Sequence, residues 1–176
     1  QGIEDSIVSI TESQLDTTIA DTGEVELVED FAVPVPLRVI MDFIGIPQDD
    51  HEQLLEWLET FRSVMTSEDS DNASIKGGHM AGAAEYFKNL VDERHTNPQN
   101  DLISQLSTET ELTSEEIGSN CFDFALAGQG TMSELLANAV HILDENDIVE
   151  DIDEYDLDIL VEEILRYRSP LQARAR

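Results

Sequence analysis

The sequence predicts a mostly α protein organised around one long helix near its middle. Apolar residues recur at three- and four-residue spacing almost throughout, and no convincing strand-type alternation lasts more than a few residues. Leu54, Trp57, Leu58, Phe61, Val64 and Met65 form one such stripe, with Glu52, Glu56 and Glu59 on other faces. Ala83, Phe87, Leu90 and Val91 form a second, and Leu157, Leu160, Val161, Ile164 and Leu165 a third, placing a helix at about 155–168. Thr113-Ser114-Glu115-Glu116 is a good helix start, with hydroxyls to cap free N–H groups and acids in the first turn. An apolar-rich run without proline follows, so a long helix is expected over about 113–144. Its apolar residues cover much of the circumference, which suits the middle of a fold.

Polar breaks separate these helices. Thr66 to Gly78 carries Ser, Asp, Asn and the Gly77-Gly78 pair and reads as a flexible connection. Asn97-Pro98-Gln99-Asn100 reads as a shorter turn ahead of Asp101-Leu102-Ile103. Val33-Pro34-Val35-Pro36 is unsuited to a helix interior, but a helix can start on Pro36 and run to Gly45. Gly45-Ile46-Pro47 then ends it, and Asp49-Asp50 open the next. Val25-Glu26-Leu27-Val28 is a weak strand candidate.

Composition bounds the function. The 176 residues fit one domain or a large part of one, and 40% are hydrophobic, enough for a core. The 39 acidic residues against nine basic ones leave a net charge of −30, which would repel nucleic acid and anionic membranes. The acids are spread along the chain rather than gathered in one block. That pattern favours a protein adapted to a saline cytoplasm over one carrying a single acidic binding face. No run approaches the roughly eighteen apolar residues of a membrane span. The opening Gln1-Gly2-Ile3-Glu4-Asp5 has neither the basic nor the apolar region of a signal peptide. Cys121 stands alone, which excludes an intrachain disulfide and fits an intracellular location. His51, His79, His95 and His141 are scattered, so no metal site is predicted.

Two local features invite a chemical reading. Ala127-Gly128-Gln129-Gly130-Thr131 puts two glycines inside the long helix, where each costs about 1 kcal/mol relative to alanine. Glycine lets another surface or a flat cofactor approach the backbone, and a threonine can divert a carbonyl and kink the helix. Taken alone, tight helix–helix packing explains the motif better. Glu163-Ile164-Leu165-Arg166 puts two opposite charges on one side of a helix at i,i+3. Alone, that is an ordinary surface pair.

Together and in order, these segments resemble bacterial-type cytochromes P450. Asp30-Phe31-Ala32-Val33-Pro34-Val35-Pro36-Leu37-Arg38-Val39-Ile40 followed by Gly45-Ile46-Pro47 resembles the family's early-middle helices. Asp101-Leu102-Ile103-Ser104-Gln105-Leu106 resembles the stretch before its long central helix. Ala127-Gly128-x-x-Thr131 matches that helix's oxygen-groove motif, and Glu163-x-x-Arg166 the ExxR motif. Tyr167, Ser169-Pro170-x-Gln172 and Arg176 continue the pattern. The resemblance runs from about residue 24 to the end, so residues 1–176 are expected to form a single partial domain, the central helical portion of that fold.

The resemblance implies roles. Thr131 would be catalytic, hydrogen-bonding dioxygen or its water chain and helping deliver protons. Ala127 and Gly128 would let the helix pass close to the haem face, and Arg176 would reach a haem propionate. Glu163 and Arg166 would be structural, in a buried charge network on the proximal side. The stretch around 64–80 would be a lid over the substrate channel. Three departures stand beside these. Gly130 occupies the place of the family's usual Asp or Glu, with Gln129 or Glu134 as substitutes, and Met132 replaces a frequent second hydroxyl. The family's haem-binding loop and its cysteine lie beyond the ExxR helix, and Cys121 reads instead as a buried apolar thiol.

The expected function is therefore that of a segment of a haem-thiolate monooxygenase, inserting one oxygen atom of dioxygen into a small organic substrate. Haem would belong to the complete parent protein and be absent from this chain, which alone would be inactive. An electron-transfer partner such as a ferredoxin is implied; nucleic acid and membrane are not. The alternative is a truncated, haem-free relative acting as a non-catalytic helical interaction protein.

Overall fold

The computed structural model describes the backbone of residues 3–66 and 73–171. Among these residues every regular element is helical. The chain divides into two compact units, Arg38–Ala127 and Gln1–Leu37 together with Gly128–Arg176.

The Arg38–Ala127 unit contains most of α2 (Pro34–Ile44), a 3-10 turn at Gln48–Asp50, α3 (His51–Thr66), α4 (Ala73–Thr96), α5 (Leu102–Glu109) and the first half of α6 (Ser114–Glu145). Helix α4 packs against both α3 and α5. The predicted stripes supply its core: Leu54, Trp57 and Leu58 from α3, and Ala83, Phe87, Leu90 and Val91 from α4, are buried. Edge-to-face rings tie them to α6, with Phe87 and Phe61 meeting Phe122 at centroid distances of 6.1 and 5.7 Å. Such pairs contribute about 0.5–1.5 kcal/mol beyond area burial. At Gly118 of α6 an added Cβ would sit 2.9 Å from the Phe87 Cβ and 3.5 Å from its carbonyl carbon. Gly118→Ala should therefore lower stability in urea unfolding. Overpacking costs about 1–3 kcal/mol, against a gain of about 1 kcal/mol in helix propensity.

A buried polar knot closes the other side of this unit. Helix α2 ends at Gly45, whose φ of +98° and whose Gly45 N–H and Ile46 N–H bonds to the Met41 carbonyl terminate it. The three guanidinium nitrogens of Arg94 take three partners. Nε donates to Asp101 Oδ2 at 2.9 Å, Nη2 to the Gly45 carbonyl at 3.1 Å, and Nη1 pairs with Glu93 Oε1 at 3.1 Å. Asp101 Oδ1 accepts the Ser104 N–H at 2.7 Å, which caps α5. Thr113 and Glu116 cap α6 reciprocally: the Thr113 hydroxyl accepts the Glu116 N–H and the Glu116 carboxylate accepts the Thr113 N–H.

The other unit holds α1 (Ile3–Thr22), a π-type turn at Leu27–Ala32, the start of α2, the second half of α6, a 3-10 segment at Val149–Glu154 and α7 (Leu157–Tyr167). The π-type turn packs on α1, and Gln14 Nε2 donates to the Asp30 carbonyl at 2.8 Å. Asp156 caps α7 by accepting the Asp158 and Ile159 N–H groups.

Three local expectations are corrected. Leu27 and Val28 belong to the π-type turn, not a strand, because the Glu26 side chain caps it and the Val33 N–H bonds back to Val28. Helix α2 starts at Pro34 rather than Pro36, both prolines lying in the first turn, where N–H groups need no intrahelical acceptor. The connection read over Thr66–Gly78 is helical from Ala73 onward, and its residues 67–72 lie outside the described residues. Helix α1 has no counterpart in the sequence reading; Ile3, Ile7, Val8 and Ile19 on it are exposed.

Candidate functional site

The Ala127–Thr131 motif falls within α6, and the helix splits it between two sides. Gln129 and Ser133 are buried, with the Ser133 hydroxyl donating to the Gln129 carbonyl at 2.7 Å. Ala127, Thr131 and Glu134 are exposed, Gly128 and Gly130 half-buried. Residues 127, 131 and 134 share a side because steps of four and three residues return to it. An added Cβ at Gly130 would meet nothing within 4 Å, so here the glycine serves no helix–helix packing that the structure shows. Gly130→Ala should accordingly stabilise the chain against urea by up to about 1 kcal/mol, the helix-propensity difference, opposite in sign to Gly118→Ala. Of the two candidate relay residues, Glu134 lies on the Thr131 side and Gln129 does not.

The Glu163–Arg166 pair forms on α7. Arg166 Nε donates to Glu163 Oε2 at 2.7 Å and Nη2 to Oε1 at 2.6 Å, a bidentate geometry. The Arg166 hydrogen bonds hold the Glu163 carboxyl below its ordinary range, and Glu163 raises the Arg166 guanidinium. Both side chains are exposed, whereas a buried network was expected. Helix α7 buries Ile164 and leaves Leu157, Ile159, Val161 and Tyr167 exposed. Arg176 lies outside the described residues.

The residues in hand fit a flat cofactor on one side only. The small-residue side of α6 would allow close approach, but no described side chain would supply a thiolate ligand. Cys121 is buried, and desolvation pushes its thiol up to about 12, the neutral form and a poor metal ligand. Among the described residues no group of three or more His, Cys, Asp or Glu could hold a metal ion, and no helix is long and apolar enough to cross a membrane. Sequence reasoning missed the Arg94–Asp101–Gly45 knot, whose members are 7 and 49 residues apart in pairs.

No protein-family model matches the chain. Among curated proteins it is 38% identical over 160 residues to a biotin biosynthesis cytochrome P450 of Bacillus subtilis, covering 87% of this chain and 40% of that protein. It is 32% identical over 184 residues to erythromycin C-12 hydroxylase of Saccharopolyspora erythraea, covering 99% and 45%. Among solved structures, P450BioI in complex with an acyl carrier protein ligated to hexadec-9Z-enoic acid superposes with a TM-score of 0.80 at 33% identity, covering 97% of this chain and 46% of that one. CYP109E1 of Bacillus megaterium with corticosterone gives 0.81 at 28% identity, covering 97% and 48%. The chain belongs to the cytochrome P450 family and carries a partial, helical portion of its fold. It spans less than half the length of the relatives it matches.

Proposed function

We propose that the chain is the distal-helix portion of a haem-thiolate monooxygenase that inserts one oxygen atom of dioxygen into a small organic substrate. The observation that carries this reading is the Ala127–Thr131 side of α6, where Ala127 and Thr131 are exposed and nothing crowds the half-buried Gly130, in a chain whose relatives are cytochromes P450. Haem, when bound in the complete protein, would supply the oxygen chemistry. The chain's own residues would do the rest. Ala127, Gly128 and Gly130 keep the helix surface low enough for a flat group to lie close. The Thr131 hydroxyl holds a proton at its Oγ1, and Glu134, one turn along on the same side, exchanges protons with solvent. Arg176 is assigned to a haem propionate and the Glu163–Arg166 pair to support of the proximal side. Electrons come from a protein donor such as a ferredoxin, and the distributed acidity suits a saline cytoplasm.

The alternative, a haem-free relative with a non-catalytic role, draws on Gly130 in place of an acid. The reduced, carbon monoxide-treated spectrum of the complete gene product separates the two. A thiolate-type Soret band supports the enzyme; a product of the expected intact mass without haem absorbance sinks it. In a haem-loaded protein, Thr131→Ala should leave that band unchanged. Substrate oxidation should fall by about 10²-fold, the low end for losing a positioned proton donor, and electron consumption should uncouple from product. An unchanged product yield would remove Thr131 from the relay.

A further inference from the structure

We propose that the cavity framed by α3, α4 and the N-terminal half of α6 binds a small hydrophobic organic cation, with the Asp123 carboxylate as its anchor. The cavity has a volume of about 240 Å³ and lies wholly within the Arg38–Ala127 unit. Phe61, Ala83, Phe87 and Phe122 make its walls, with Glu115 and Asp123 contributed by α6. It is somewhat smaller than the roughly 300–1,000 Å³ of drug-sized sites, so its ligand is small. This goes beyond the monooxygenase reading and needs no haem.

The charge of the ligand follows from the lining. Three phenylalanines line the space, Phe61 and Phe87 each meeting Phe122 edge to face, and an aromatic lining suits a cation because the face of such a ring attracts one. Among the described residues no basic side chain lines the cavity. Glu115 is already engaged by Lys88 at 2.7 Å, and that hydrogen bond draws its carboxyl below the ordinary range. Asp123 is exposed at the cavity and makes no ion pair or hydrogen bond with any described residue. It stands more than two turns inside α6, beyond the first turn in which the positive end of the helix dipole would oppose a cation. An anion would meet one unneutralised carboxylate and a chain of net charge −30. A neutral ligand would gain the apolar walls and leave the aspartate unused. A protonated amine on an aromatic or short alkyl body uses both.

The test compares three probes of one shape on the chain itself, by isothermal titration calorimetry at one salt concentration at which circular dichroism shows the chain folded. Phenethylamine should bind about tenfold more tightly than 2-phenylethanol, a modest ion-pair and cation–π increment, and 3-phenylpropanoate should bind most weakly. Asp123→Asn, at an exposed position that leaves the core intact, should bring the amine down to the level of the alcohol and leave the alcohol unchanged. Equal binding of amine and alcohol by the parent chain would overturn the proposal, as would no amine binding at all. An amine preference that survives in Asp123→Asn would also overturn it, because the attraction would then come from the chain's overall charge rather than from this carboxylate.

Discussion

Arg94→Ala should remove about 3–5 kcal/mol of folding stability, the cost of breaking a buried ion pair from one side. Domains of this kind hold about 5–15 kcal/mol in total, so the variant would stand at the edge of folding. The loss is large because one side chain serves three partners. Removing it strands the Asp101 carboxylate, 5% exposed, and takes a donor from the Gly45 carbonyl at the end of α2. Arg94→Lys should recover little, since an ammonium cannot present the planar fork that reaches both Asp101 and Gly45. Arg94→Met combined with Asp101→Asn should recover most of it. The buried charge is then gone, and the asparagine oxygen still caps the Ser104 N–H. Urea unfolding midpoints of the four proteins check this. If Arg94→Ala loses less than about 1 kcal/mol, the range of an exposed pair, the knot is not what joins the α2 terminus to the α5 cap.

What the sequence revealed of the fold follows from how local each signal was. Helices with a strong one-sided pattern or a chemical cap could be read directly. Thr113 and Glu116 announce the start of α6 because a capping box is complete within four residues. The α3 and α4 stripes are apolar because those faces are buried, and Phe87 and Leu58 are buried as the spacing implied. Where position depends on a partner far along the chain, the local signal was silent. Nothing around Arg94 says that it will reach a carbonyl 49 residues earlier, because an arginine near a helix C-terminus is equally at home in solvent. Helix α1 was missed for the opposite reason. Its apolar residues do not gather on one face, and several remain exposed. At the candidate site, Ala127 and Thr131 lie on one side of α6 because a four-residue step along a helix returns to the same side. Sequence alone could not distinguish Gly118 from Gly130, two of the three glycines of α6, by purpose. Gly118 is crowded by Phe87 and Gly130 faces open space, a difference set by the neighbours and not by either residue's own sequence context.

The melting temperature should rise by roughly 10 °C or more between 0.1 and 2 M KCl, with at least half of the rise complete by about 0.5 M. Nine basic residues can neutralise no more than nine of the 39 acids, so the surface carries a large excess of like charge. Two such charges 10 Å apart in water repel by about 0.4 kcal/mol before screening. At 0.1 M salt the screening length is about 10 Å and roughly a third of that survives; at 1 M it is about 3 Å and almost none does. Summed over some tens of neighbouring pairs that folding brings together, the difference is a few kcal/mol. For a chain of this size each kcal/mol moves the melting temperature by about 2–4 °C. The shape of the curve identifies the cause. Screening saturates once the screening length falls below the spacing between charges, whereas strengthened apolar burial by an excluded salt continues to grow with concentration. A steep early rise that levels off, the same for KCl and NaCl, marks relief of self-repulsion and supports adaptation to a saline interior. A flat curve would mean that the acids are spaced widely enough to be tolerated in dilute buffer, and the saline reading would fall with it.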